Sequence, residues 1–462
     1  KKTYLPKRPG EPDVTCADIK KIKKKLNWKP KVKFKKGANE MLKDIPGVSS
    51  LEDLFSDLPS HLIDPKLNLP DALSELELRN EIEVISKLND TPGEFSSFLG
   101  AGSYRQFIPS IVRQITSRSE FMTSYTPYQP EISQGTLQAH YEFQSMICQL
   151  TNMEIANSGM YDGASSVAEA ALMAVRITKK KRIAVLNTVS PAYVDVLKTF
   201  LEAPAIEIDI INNSTSLNPD TACIILQQPS FLGNLEDIEQ FSNLAKENNS
   251  LLVVSVDPIS LGMIKPPGDY GADIVVGEGQ SLGIATTFGG PYVGIFACKQ
   301  IYLRQMPGRI VGQTIDTEGK TGYVLTMQTR EQHIRREKAT SNICTSVGLI
   351  ALGATVYLAT LGKSGLKQIA NLCYEKAHYA ANLINSIPGY NVVNNGLFFR
   401  EFVIRCPIPT KEVNRLLIKN KIIGGFDVSS EIENGMLICF TEMNSKKEID
   451  NLIDSLKNIQ AS

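Results

Sequence analysis

Leu251-Leu252-Val253-Val254-Ser255-Val256-Asp257 is a nearly continuous apolar run of strand length that ends on a carboxylate. A run without polar alternation fits a strand covered on both faces, the pattern of a parallel sheet between helical layers. Its neighbours repeat the theme. Ile183-Ala184-Val185-Leu186, residues 206–211 and Cys223-Ile224-Ile225-Leu226 read as strands, while residues 193–201 and 237–248 carry helical spacing. Such alternation predicts an α/β domain built on a mostly parallel sheet. A long helix near 347–361, then alternating helix and short strand from about 367 to a last helix over 446–459, predicts a second, smaller α/β domain. The expected divisions are a basic extension (1–44), a helical arm (45–124), a large α/β domain (125–345) and a small C-terminal α/β domain (346–462).

Length and composition narrow the function. A chain of 462 residues exceeds one simple core. Lys+Arg and Asp+Glu both number 49, so no whole-chain field favours nucleic acid or an anionic membrane. Residues 1–44 nonetheless carry 15 Lys/Arg against 5 Asp/Glu. A basic arm gripping nucleic acid is the sharper reading of that segment, and a solvated face the commoner one. No apolar run reaches the roughly 20 residues of a membrane span, and the start lacks a signal-peptide apolar segment. A cytoplasmic protein is the expectation. The eight cysteines (Cys16, Cys148, Cys223, Cys298, Cys344, Cys373, Cys406, Cys439) form no CxxC pair and have no His at ligand spacing, so no metal is expected and most should be small core residues. In the arm, Leu51, Leu54, Leu58, Leu73, Leu76 and Leu78 recur at helix-like intervals and would form packing faces of short helices.

Tyr125-Thr126-Pro127-Tyr128-Gln129-Pro130-Glu131-Ile132-Ser133-Gln134-Gly135 stands apart. Two prolines stop a regular helix or central strand, so the hydroxyls, amides and carboxylate sit on irregular backbone, where loops present groups to a ligand or pack on a surface turn. This loop, with Phe98-Leu99-Gly100-Ala101-Gly102 before it and Tyr161-Asp162-Gly163-Ala164-Ser165 after it, resembles the glycine decarboxylase (P-protein) family of the glycine cleavage system. Gly277-Glu278-Gly279-Gln280-Ser281-Leu282-Gly283 leading into Phe288-Gly289-Gly290-Pro291, and Gln328-Thr329-Arg330-Glu331-Gln332-His333-Ile334-Arg335-Arg336, are similar to it too. The likeness runs from about residue 46 to the end, its blocks in order, and is to the first subunit of the split, two-subunit form. Residues 8–14 and 26–34 resemble instead the C-terminal tail of a sugar-nucleotide epimerase or dehydratase, whose Gly-rich dinucleotide turn is absent.

The resemblance implies an aminotransferase-like, pyridoxal-phosphate-dependent transferase fold. It implies a second subunit holding pyridoxal phosphate on a lysine, an α2β2 complex, decarboxylation of glycine, and transfer of the aminomethyl group to the lipoyl arm of the H-protein. Tyr125, Tyr128, Gln129, Glu131 and Gln134 would form this chain's wall of the shared pocket. Arg330, Arg335 and Arg336 would meet the partner, and no nucleic acid or membrane is implied.

In this fold an Asp after the sheet's apolar strand holds the cofactor's pyridinium nitrogen and a Lys some twenty residues on forms the imine. Asp257 matches the first, as a remnant or a turn residue. The family's second subunit has a His-Lys pair before its glycine-rich turn, and the resemblance puts Gln280 where that Lys would be; an amide nitrogen, its lone pair delocalised, forms no imine. Lys265 and Lys299 flank other features. Ser165 and Ser166 open a helix over 167–177. Ser166 with Glu169 reads as a capping box, and the same helix start reads as an anion cradle. The rival functions are an autonomous pyridoxal-phosphate aminotransferase or lyase with an unrecognised lysine, and a scaffold subunit without a catalytic part.

Overall fold

The computed structural model describes residues 46–460, apart from 51, 64, 92, 213–215 and 345, together with 24–25, 29, 31 and 40–42. Most of the basic extension, the epimerase-like stretches but for isolated positions, Cys16 and Leu51 lie outside the described residues. The chain forms two compact units, Lys1–Leu88 and Asn89–Ser462.

In the first unit, Ser74 closes the start of helix Glu75–Ser86 with a reciprocal cap. Its Oγ accepts from Glu77 N at 3.4 Å, and Glu77 Oε2 accepts from Ser74 N at 2.8 Å. The leucines expected to form packing faces do not. Leu54, Leu58, Leu73, Leu76 and Leu78 are exposed, and no described side chain of this unit is buried. Among the described residues from 46 to 88, one three-turn helix and two single 3-10 turns, Glu52–Phe55 and Ser60–Leu62, supply no facing layer against which an apolar stripe could be buried.

The second unit is built on a seven-stranded sheet. Its strands are β1 (Ile155–Ala156), β2 (Arg182–Leu186), β3 (Glu207–Ile211), β4 (Thr221–Gln228), β5 (Leu251–Val256), β6 (Ile274–Glu278) and β7 (Gly294–Cys298), in the order β1-β7-β6-β5-β4-β2-β3. From β3 through β6 neighbours run parallel, and β7 reverses direction to pair antiparallel with β6 and β1. Every residue of β5 is buried, which is why it could be written without polar alternation. Helices α1 (Gln134–Thr151), α2 (Gly163–Thr178), α3 (Pro191–Glu202) and α4 (Ile238–Glu247) follow. Gly163 can begin α2 because a Cβ there would stand 2.5 Å from the Tyr193 hydroxyl and 2.9 Å from Glu278 N. A hairpin, β8 (Ile310–Ile315) with β9 (Thr321–Thr326), lies beyond the sheet.

Helix α5 (Gly348–Asn385) is longer than the sequence reading expected, which placed the next alternation from about residue 367. Gly362, at φ 58° and ψ −175°, breaks its regularity, and the run then resumes because Ala370, Ala377, Ala380 and Ala381 bury a small-residue face. By length and hydropathy α5 could cross a membrane. Here its Ala351, Ala354 and Tyr357 belong to the core of the seven-stranded sheet. A four-stranded antiparallel sheet completes the fold, in the order β10 (Asn391–Val392), β11 (Glu401–Arg405), β13 (Gly435–Cys439), β12 (Phe426–Asp427). It is covered by α6 (Thr410–Lys419) and α7 (Lys446–Gln460) over a separate core that includes Phe98, Ile384, Phe402, Phe440 and Leu452. The cysteines at 223, 298, 373, 406 and 439 are buried and Cys344 is exposed.

Candidate functional site

The loop before α1 follows from its two prolines. Pro130 opens a single 3-10 turn, Pro130–Ile132, and α1 starts only at Gln134. Gln134 spends its amide on structure: Nε2 donates to Pro130 O (2.7 Å) and Tyr323 O (2.9 Å), and Oε1 accepts from Tyr323 N (2.8 Å). It thus pins the loop to β9. Tyr125, Tyr128, Gln129 and Glu131 are exposed.

The loop's anchor is Arg309, one residue before β8 and 3% exposed. Its Nη2 donates to the Tyr128 hydroxyl at 3.0 Å and to Cys344 O at 2.6 Å, Nη1 to Thr126 Oγ1 at 3.4 Å, and Nε to Glu331 Oε2 at 3.2 Å. A rigid guanidinium fork reaching four acceptors fixes the loop against two other segments, as a flexible ammonium could not. His333 adds an edge contact to the Tyr128 ring, with centroids 5.3 Å apart. Beside this cluster, Tyr125, Thr126, Pro127, His140, Pro291 and Val347 line a cavity of about 410 Å³. His140 is buried with Nδ1 unpartnered, and burial, helped by the Arg309 charge, lowers its pKa to about 4. Its imidazole is therefore neutral at physiological pH.

The block from Gln328 to Arg336 is not one continuous helix. It breaks into the 3-10 turn Gln328–Arg330, the short helix Gln332–Arg335 and the turn Arg336–Lys338. Arg330, expected at the partner interface, turns inward instead. Its guanidinium donates to Met306 O and to Gly308 O (3.1 Å), and Nε to Met327 O (3.1 Å). Two of these carbonyls, those of Met306 and Gly308, are left unpaired by the turns and need a donor there, whereas Met327 O also accepts from Arg330 N at 3.2 Å. Arg335 and Arg336 are exposed.

A second cluster gathers at the carboxyl end of β5 and β6. Asp257 makes a turn, with Oδ1 accepting from Ile259 N at 3.0 Å, and its Oδ2 lies 2.6 Å from Arg400 Nη2. Gln280 accepts from Tyr104 N at 2.8 Å and donates to Tyr104 O at 3.0 Å and Ile284 O at 2.7 Å. At the start of α2 the cap is Asp162, whose Oδ1 accepts from Ser165 N at 2.7 Å. The capping box read at Ser166 and Glu169 is therefore corrected. Ser166 lies inside the helix, its Oγ donates to Asp162 O at 2.7 Å, and Glu169 accepts instead from Ser341 Oγ at 2.7 Å. Glu278 Oε2 accepts from Gly163 N at 2.9 Å. Among the described residues no cluster of His, Cys, Asp or Glu suits a metal.

Arg309, His140 and Arg400 escaped the sequence reading. Each carries its meaning in long-range contacts, and Arg400 sits in Phe398-Phe399-Arg400-Glu401, which reads only as an edge between apolar and polar sequence. Glu331 and Glu278 lay within motifs that had been singled out, without a role.

Comparison with known proteins accounts for these motifs together. The family model described as glycine cleavage system P-protein matches residues 32–456, taking in the last part of the basic extension. The probable glycine dehydrogenase (decarboxylating) subunit 1 of Thermomicrobium roseum is 48% identical over 436 residues, covering 91% of this chain and 97% of that protein. That of Desulforamulus reducens is 49% identical over 425 residues, covering 89% and 95%. A crystal structure of glycine decarboxylase (P-protein) of the glycine cleavage system, in inhibitor-bound form, superposes with a TM-score of 0.86 at 39% identity, over 93% of this chain and 99% of that one. The same fold, at 14% identity and a TM-score of 0.59, occurs in a C-DES variant with glycine covalently linked to its pyridoxal-phosphate cofactor. The chain has an aminotransferase-like fold of the pyridoxal-phosphate-dependent kind, and it belongs to the glycine cleavage system P-protein family.

Proposed function

We propose that this chain is subunit 1 of a glycine dehydrogenase (decarboxylating) that works only beside a second subunit. The observation that carries this is Gln280. A chain so similar to proteins of that name over nine-tenths of its length has an internally hydrogen-bonded amide at the position that, by resemblance to the second subunit, corresponds to the imine-forming lysine. Pyridoxal phosphate held by a lysine of the second subunit supplies the electron sink for loss of CO2 from glycine. The aminomethyl group then passes to the lipoyl arm of the H-protein.

This chain's part is to build one wall of the shared pocket. Tyr125, Tyr128, Gln129 and Glu131 present hydroxyl, amide and carboxylate groups there, and Arg309 holds the loop still, so orientation is set before substrate arrives. Arg335 and Arg336 meet carboxylates of the second subunit in an α2β2 complex.

The test is exchange of labelled CO2 with the glycine carboxyl. The chain alone should give none, the second subunit alone little, and the mixture with H-protein should restore it. Exchange by the isolated chain would overturn the reading in favour of an autonomous enzyme.

A further inference from the structure

We infer that this chain's own copy of the fold's cofactor cleft is filled by its own side chains, with Arg400, Tyr104 and Glu278 in the places of the cofactor's cation, ring and phosphate, and that the filled cleft now joins the two sheets. The inference rests on the fold and not on the glycine reaction.

A pyridoxal-phosphate cleft of this fold needs three things: a carboxylate free to face the pyridinium nitrogen, a lysine amine, and an anion cradle at a helix start. None is available here. The carboxylate of Asp257 faces Arg400 at 2.6 Å. Arg400 is 1% exposed, and its other terminal nitrogen is held too. With the Gln106 amide oriented to satisfy both neighbours, Gln106 accepts from Arg400 Nη1 at 2.9 Å and donates to Ser281 O at 2.7 Å. A delocalised planar cation thus already occupies the site where a pyridinium would meet this Asp.

A ring is present as well. The Tyr104 ring lies flat enough against the guanidinium to put its centroid 3.4 Å from Arg400 Cζ. The tyrosine is fixed at three points: its hydroxyl donates to Glu401 Oε2 at 2.7 Å, its N donates to Gln280 and its O accepts from Gln280. Gln280 is itself 1% exposed, so the residue in the lysine's place is buried under Tyr104 and faces no open cleft.

The anion cradle is used up in the same way. Asp162 takes Ser165 N through its side chain and Ser166 N through its carbonyl, and Glu278 takes Gly163 N at 2.9 Å and Gln280 N at 2.9 Å. A phosphate arriving there would find the Gly163 and Ser165 amides spent and a carboxyl group in its place.

The plug also links the layers. Asp257 follows β5 and Glu278 ends β6 of the seven-stranded sheet, Arg400 precedes and Glu401 opens β11 of the four-stranded sheet, and Tyr104 with Ala101, whose N donates to Glu401 Oε1 at 2.7 Å, lies between them. Here the protein makes this joint permanently.

The full-length chain with Gln280→Lys, at millimolar pyridoxal phosphate and then borohydride, should gain no more cofactor mass at residue 280 than the unchanged chain, as read by peptide mapping. The unchanged chain in equilibrium dialysis should show no saturable site. Covalent attachment at residue 280, or one cofactor held per unchanged chain, overturns the plug. For the joint, Arg400→Leu should lower Tm by about 5 °C or more, because it leaves Asp257 buried and unpaired. Adding Asp257→Asn should recover at least half of that loss. An unaffected Tm in the single variant, or no recovery and no folding in the double variant, overturns it.

Discussion

Arg309 Nη2 stands 3.0 Å from the Tyr128 hydroxyl while the same guanidinium holds Cys344 O and Glu331. The loop of the proposed shared pocket is thus set by a residue from the edge of a hairpin far along the chain. Tyr128→Phe keeps the ring and its contact with His333 but removes one acceptor from a buried cation. A hydrogen bond of this kind contributes about 1–3 kcal/mol, so turnover of glycine by the two-subunit enzyme should fall about tenfold with assembly unchanged. Glu131→Gln tests the neighbouring exposed carboxylate in the same assay. Wild-type turnover in both variants, with saturating H-protein, would reduce the loop to packing and favour a scaffold subunit.

Glu278 carries a pH signature. Burial is the main cause that raises its pKa to about 8, against hydrogen bonds from Gly163 and Gln280 that lower it. Its ordinary value is 4.5, so between about pH 4.5 and about pH 8 the folded chain holds a proton that the unfolded chain has lost. The contribution is therefore full below pH 4.5 and is lost as pH rises through 8. Thermal melts across this window should show the Tm of Glu278→Gln gaining on the wild type as pH rises. A constant difference would mean that Glu278 titrates normally.

His140 works in the opposite sense. Its folded pKa of about 4 lies below the ordinary 6.5, so its contribution is present above 6.5 and is lost as pH falls through 4. Replacing it with Asn should make the acid limb of the stability curve shallower by about one proton, whatever the offset in Tm. An unchanged slope would show that this imidazole already takes up its proton in the folded state.

Residues 1–31 precede the family match and are strongly basic. Their removal should leave complex formation and glycine turnover within about twofold, since a chain so charged and poor in apolar residues buries little surface. Analytical ultracentrifugation of the truncated pair, with the exchange assay, checks this. Loss of the complex would show that the segment has a structural role.

The parallel sheet was legible in the sequence by itself. A strand buried on both faces must be apolar at successive positions, so Leu251–Val256 announces its place, and an amide at position 280 has the same chemistry in any fold. Order and spacing of the motifs carried the family. What only the tertiary structure decided were the partners of charged and polar side chains. Arg330 reads like Arg335 and Arg336 in a line of sequence, and turns inward only because the carbonyls of Met306 and Gly308 lie unpaired beside it. Asp257 reads as a remnant or a turn residue, and only the fold brings Arg400 across from the other sheet to face it. Burial of a charge is settled by which opposite charge the fold carries to it, and that information resides in no local pattern.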